Sequence, residues 1–244
     1  MSDIYKAPEA ELASREENTD FGSIEKGIAG DYTFSIGDAI NEGWQLSKGK
    51  KRTVWLGILL YGIAIIAISV AAGLVTGALT AEGDTSITQE LIYNLITTIV
   101  GLPLAAGFTM IGIKIARGEE TSGTEVFAYF DKIVSLIAVN LLMWIFILIG
   151  FLLLVIPGIY LMIAYMFAIP LVVDQNLGPW QALEASRKAV TKNWFSFFGF
   201  MLLILLIVLA GFFAVLIGSI WALPLTCIAF GVAYRKVFGG PQGA

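Results

Sequence analysis

Six apolar stretches long enough to cross a bilayer divide this chain, and its cations occupy only alternate connections between them. The segments before the first stretch, between the second and third, between the fourth and fifth, and at the end of the sixth hold all 15 Lys and Arg residues. A spanning helix needs roughly 20 apolar residues, and cytoplasmic loops are enriched in Lys and Arg. The pattern predicts an all-α integral membrane protein with six transmembrane helices and both termini in the cytoplasm. The expected spans are 54–79, 92–116, 133–155, 158–173, 195–218 and 221–237. A mean hydropathy of +0.82 agrees with a bundle solvated largely by lipid. No early apolar core precedes a cleavage site, so the first span reads as an uncleaved anchor.

Three regions follow. Residues 1–32 read as a disordered acidic cytoplasmic tail, residues 33–238 as the six-helix transmembrane domain, and residues 239–244 as a flexible C-terminal tail. Within the domain one unit is written three times: a cytoplasmic amphipathic segment, a span, an outer turn and a returning span. This predicts three helical hairpins, each preceded by an amphipathic interfacial helix, and reads as parallel repeats. Ser35 with Asp38, and Ser122 with Glu125, have the spacing of capping boxes. Pro179 suits the first turn of the third segment. Its apolar edge is Trp180, Leu183, Val190 and Trp194. Pro103, Pro157 and Pro224 mark the outer parts of the even-numbered spans, Pro103 as a kink and the other two as helix starts.

Spanning helices associate through small residues, because lipid is as apolar as leucine. Ser69, Gly73 and Gly77 form one ladder and Ala210, Ala214 and Gly218 another, which predicts a close crossing of the first and fifth spans or a homo-oligomer contact. Trp44, Trp55, Trp180 and Trp194 fall near the inner boundary and Trp221 near the outer one. Asn140 and Trp144 lie near the middle of the third span, as interior packing or as the lining of a small cavity.

The chain has no His and one Cys. His is the commonest general acid–base, and Cys227, within an apolar span, has no adjacent base to activate it; it reads as a small buried hydrophobe. Common zinc sites need Cys and His. These residues predict no catalytic centre, no metal and no cofactor, and no basic patch for nucleic acid. The spans lack central ionisable residues, which argues against proton- or voltage-driven transport. Lys48, Lys50, Lys51 and Arg52, with Arg187, Lys188 and Lys192, are positioned for anionic headgroups of the cytoplasmic leaflet.

The run from Leu153 to Tyr160 (LLVIPGIY), the run from Ala168 to Val172 (AIPLV), and Gln181 to Arg187 (QALEASR) with Asn193 and Trp194 resemble the hallmark region of a bacterial group of polytopic membrane proteins. That group includes the YciC-like proteins and the membrane domain attached to some glycerophosphodiester phosphodiesterases. Asp174 and Ser186 stand where its pattern has an acid and a serine. Tyr5 to Pro8 (YKAP) resembles short openings of small bacterial membrane proteins. The resemblance covers 150–200 in motif and 35–238 in architecture. It implies an all-helical fold in the bacterial inner membrane and transfers no catalytic residue. The expected function is a non-enzymatic membrane protein that binds lipid or a partner protein in envelope homeostasis. The alternative is a passive channel or transporter for a small neutral or apolar solute.

Overall fold

The computed structural model describes residues 21–77, 86–213 and 218–240. Nine α-helices run through them, with no strand among the described residues: α1 (Ile24–Ala29), α2 (Ile36–Thr76), α3 (Ile87–Arg117), α4 (Ile133–Leu153), α5 (Val155–Ala164), α6 (Ala168–Asp174), α7 (Pro179–Lys192), α8 (Trp194–Phe213) and α9 (Ser219–Phe238). Two 3₁₀ turns, Gly123–Phe127 and Phe130–Lys132, lead into α4. Six segments are long and apolar enough to cross a membrane: α2, α3, the 3₁₀ turns with α4, α5 with α6, α8 and α9. The fold is an all-α, polytopic membrane architecture.

The hairpins form as expected, but the segments before them differ from one another. Ser35 caps α2 by accepting from the Asp38 N–H at 3.3 Å. The helix then continues unbroken for 41 residues, about 60 Å at 1.5 Å per residue. The first amphipathic segment is therefore continuous with the first span and is not a separate interfacial helix. The second is not an α-helix. Ser122 accepts from the Thr124 N–H at 3.1 Å and sets the 3₁₀ turn, which buries Val126. The third is the separate helix α7, with Pro179 in its first turn. Its face of Ala182, Leu183, Ala185, Ser186, Ala189 and Val190 is buried against protein, and Trp180 stays exposed.

The termini depart from the expected tails. Residues 1–20 lie outside the described residues, but 21–34 are built into the fold. Ser23 caps α1 by accepting from the Lys26 N–H, and Ile24 and Ile28, one turn apart, pack on the core. The Gly22 N–H donates to the Arg235 carbonyl at 3.1 Å, and the Tyr32 hydroxyl to the Ala189 carbonyl at 2.7 Å. Phe34 stacks on Phe197 with centroids 4.4 Å apart. Two isoleucines one turn apart are too short a stripe to stand out in sequence, and the partners that fix this segment come from the far end of the chain. At the other end, the Gly239 and Gly240 carbonyls accept from Arg117 and Gln175; residues 241–244 are outside the described set.

The core forms around α9. Phe167, between α5 and α6, meets Phe197, Phe230, Tyr234 and Phe238 at centroid distances of 5.4–5.7 Å. The tightest helix crossing is between α3 and α9. A Cβ on Gly231 would land on the Gly112 carbonyl, and one on Gly112 on the Cys227 carbonyl. Glycine is what allows these two backbones to touch.

The prolines act differently from one another. Pro103 lies inside the continuous α3, and Pro157 lies in the first turn of α5, directly after the extended residue Leu154. Pro224 is not a helix start: it sits more than one turn inside α9. It cannot supply the N–H that the Ile220 carbonyl would accept one turn back. The Trp55 indole N–H fills that place at 3.2 Å.

Candidate functional site

Between α2, α3, α8 and α9 lies an open cleft of about 490 Å³. Its walls carry Ile58, Tyr61, Phe108, Ile204, Leu223 and Phe230, with Ala105 and Met201 completing them. Four lining residues bear polar atoms: Tyr61, whose ring lies 6.2 Å from that of Phe108, and three whose polar atoms turn to backbone carbonyls. The Thr109 hydroxyl donates to the Ala105 carbonyl at 3.0 Å, and the Thr226 hydroxyl to the Ala222 carbonyl at 2.9 Å. The Cys227 thiol points to the Phe108 carbonyl at 4.0 Å. A buried polar group that is already satisfied offers nothing to a polar ligand, so these side chains present methyl and sulfur surface. A shallower groove of about 290 Å³ runs along α2 from Trp55 to Ile66 and shares Ile58 with the cleft. Leu59, Ile63 and Ile66 on that track are exposed, as are Leu205, Leu206 and Leu209 on α8.

A buried charge network closes the bundle at the C-terminal ends of α3, α6 and α9. Arg117 grips Asp174 with both terminal nitrogens, at 2.7 and 2.6 Å, and its Nε donates to the Gly239 carbonyl at 2.9 Å. The Tyr234 hydroxyl and the Gln175 amide donate to the same carboxylate at 2.8 and 2.9 Å. The side chains of Arg117 and Asp174 are only 2% and 4% exposed. Removing such a pair from water is favourable only when nearly every donor and acceptor is met, as they are here. Alongside, Arg235 pairs with Glu42 at 2.6 Å and donates to the Ala116 carbonyl. Lys114 pairs with Glu125 at 2.6 Å. The network fastens three helix ends and holds no open position for a substrate.

Ser186 has a structural task. The expected fourth span is broken between α5 and α6, which leaves backbone groups without helical partners. The buried Ser186 hydroxyl donates to the Ala164 carbonyl at 2.7 Å and accepts from the Phe167 N–H at 3.2 Å.

The packing ladders are placed as follows. Gly73 is buried and Ser69 half-buried. Gly77 ends α2 in the left-handed region, with φ of 73°, where glycine avoids the Cβ penalty. On α8, Ala210 is exposed, and the neighbouring Gly211 makes the close approach, to Ala222 of α9. Gly218 caps α9, and Ala214 lies outside the described residues. The cavity reading of Asn140 and Trp144 is corrected. Trp144 is 61% exposed, on the outer side of α4 with Leu141 and Leu148, while Leu136, Val139, Ile147 and Gly150 form the buried side. Neither residue lines the cleft, and the exposure of Trp144 departs from interior packing as well.

The cations also divide. Lys48, Lys50 and Arg52 are exposed, and the Lys48 ammonium donates to the Gln45 amide oxygen at 2.8 Å. Lys51 lies over the Trp221 ring, 5.1 Å from its centroid. Trp221, expected at the opposite boundary, therefore stands level with the basic stretch. Glu42 with Arg235, Gly43 with Ala229, and Trp55 with Ile220 show why: α9 packs along the polar first half of α2. The apolar second half of α2 pairs with α3, where the Gln89 amide donates to the Thr76 carbonyl at 3.0 Å. On α7, Lys188 pairs with Glu184 at 2.8 Å, and the stem of Lys192 covers Gly30.

The chain is 28% identical, over 85% of its length, to an uncharacterised protein of Mycobacterium bovis, and equally to uncharacterised proteins from two strains of Mycobacterium tuberculosis; each match covers 70% of the relative. No family model matches the chain, and no solved structure matches it.

Proposed function

We propose that this multi-pass membrane protein is a non-enzymatic lipid-binding module of the bacterial inner membrane, with both termini cytoplasmic, serving envelope homeostasis. It holds an acyl chain in the cleft between α2, α3, α8 and α9. The observation that carries this reading is the cleft itself. Its Thr and Cys side chains are spent on backbone carbonyls, the rest of its wall is apolar apart from the Tyr61 hydroxyl, and it shares Ile58 with a groove on the exposed face of α2. An acyl chain needs shape and methyl surface and no hydrogen bond. The segregation of cations supports the orientation, and the resemblance of the 150–200 region to YciC-like proteins supports the location.

Transfer from bilayer to cleft gains no hydrophobic free energy, because both are apolar. Retention then depends on packing, and a chain that no longer fits is released to the bilayer. The test is native mass spectrometry of the protein released from nanodiscs, comparing wild type with Ile204→Trp and Ala105→Phe, which fill the cleft. Wild type should retain lipid above its share of the bulk, and both variants should lose that excess while remaining folded. A wild-type shell indistinguishable from bulk membrane would overturn the proposal.

A further inference from the structure

A second, smaller pocket, of about 150 Å³, opens between α4 and α7 and differs from the cleft in kind. Three aromatic rings and two opposite charges line it: Phe146, Tyr165 and Trp180 with Glu184 and Arg187. Phe146 meets Trp180 edge-on, with centroids 5.8 Å apart, and lies 6.5 Å from Tyr165 at 51°. Trp180 is 58% exposed and so closes no core. The Arg187 guanidinium has no hydrogen-bond or ion-pair partner among the described residues, although it sits one residue from the Glu184–Lys188 pair on the same helix. The hydrogen bond and charge of Lys188, with the charge of Arg187, hold Glu184 below the usual carboxylate range, so it is an anion at neutral pH.

The composition of this pocket selects a ligand. An unpaired guanidinium is a receptor for phosphate, but a simple anion would also meet the Glu184 carboxylate. A simple cation would be drawn to the aromatic faces and repelled by Arg187. A zwitterion with phosphate and ammonium a few bonds apart satisfies both. The pocket also borders the exposed apolar strip of α4, with Trp144, Ile145, Leu148 and Ile149, along which acyl chains can lie. We propose that the pocket binds the phosphoethanolamine headgroup of an aminophospholipid, its phosphate on Arg187 and its ammonium among Trp180, Phe146 and Glu184. This rests on the lipid-binding reading and supplies the selectivity that an apolar cleft lacks.

The test uses the full chain in nanodiscs of equal parts phosphatidylethanolamine and phosphatidylglycerol, with retained lipids counted by native mass spectrometry. Wild type should favour phosphatidylethanolamine by about tenfold, the scale of one charge-assisted contact. Glu184→Gln should shift the ratio toward phosphatidylglycerol, Trp180→Ala should reduce it, and Arg187→Gln should lower retention of both. All three residues reach the surface, so the variants should fold, as checked by size-exclusion profile. Ile204→Trp, in the other cleft, should leave the ratio unchanged. Retention above bulk with no preference for ethanolamine would overturn the headgroup assignment and leave the lipid-binding reading standing; no retention at all would overturn both. Equal ratios in wild type, Glu184→Gln and Arg187→Gln would also overturn the assignment. Free phosphoethanolamine in excess should not displace the lipid, and displacement would overturn a lipid as the source of the headgroup.

Discussion

Helices α8 and α9 follow one another in sequence and have 20 residues each, yet they meet opposite surroundings. On α8 only Phe197, Phe200 and Gly211 are buried, and Phe195, Leu202, Leu205, Leu206, Leu209 and Phe212 are exposed. On α9 the reverse holds: from Ala222 to Phe238 nearly every residue is buried or half-buried. The side chains explain the contrast. α8 is a run of Leu, Ile and Phe, which lipid solvates at no cost. α9 carries Ala222, Thr226, Cys227, Ala229, Gly231 and Ala233, small residues that let α2 and α3 approach its backbone. Length and apolarity qualify both helices to span. Which of them faces lipid depends on side-chain size.

The contrast can be broken from the protein side first. Asp174→Leu would strand Arg117 in the network that receives the end of α9, and losing one partner of a buried ion pair costs about 3–5 kcal/mol. Its detergent-solubilised thermal midpoint should fall furthest of the set, or folded protein should not be recovered. Gly231→Leu forces α3 and α9 apart and should cost about 1–3 kcal/mol or more by overpacking, read in the same melting assay. Trp55→Phe leaves the Ile220 carbonyl beside Pro224 without its donor, and a loss of about 1 kcal/mol is expected. On the lipid side, Leu206→Ala should change the melting midpoint by no more than about 0.5 kcal/mol equivalent, as for a surface substitution. A large loss there would mean that α8 is packed against protein.

These contrasts also show what could be read from sequence. The apolar runs, the Ser35 cap and the Pro179 helix start depend on a few consecutive residues, and all three were legible. The α3–α9 crossing was not. Gly112 and Gly231 are single glycines without a repeat, and each has meaning only beside the other. The small-residue ladder on α2 drew attention because it was regular, whereas contact requires a partner. Arg117 and Asp174 look like solvated charges at helix ends until Tyr234 and the chain after it cover them. Ser186 reads as part of an amphipathic helix, and its use depends on the break between α5 and α6. The cleft is lined from four helices far apart in sequence, so no local pattern announces it. The pocket at Arg187 was half legible: its cation was marked as a headgroup contact, but Phe146 and Tyr165 come from other helices.

Lipid should reach α8 broadly and, beyond its first turn, α9 only through the cleft. Photolabelling in bilayers with a phospholipid carrying a diazirine in its acyl chain, mapped by peptide mass spectrometry, tests this directly. The expected labels fall along the exposed side of α8, at residues such as Leu202, Leu205 and Leu209, and on α9 at the exposed Ile220 and Trp221 of its first turn and, beyond them, only along the line of Leu223, Thr226, Cys227 and Phe230. Labelling around the whole circumference of α9, at Ala229, Val232 and Ala233 as well, would contradict a protein-buried helix. Labelling of α8 with none at the cleft residues of α9 would contradict an acyl chain held between them.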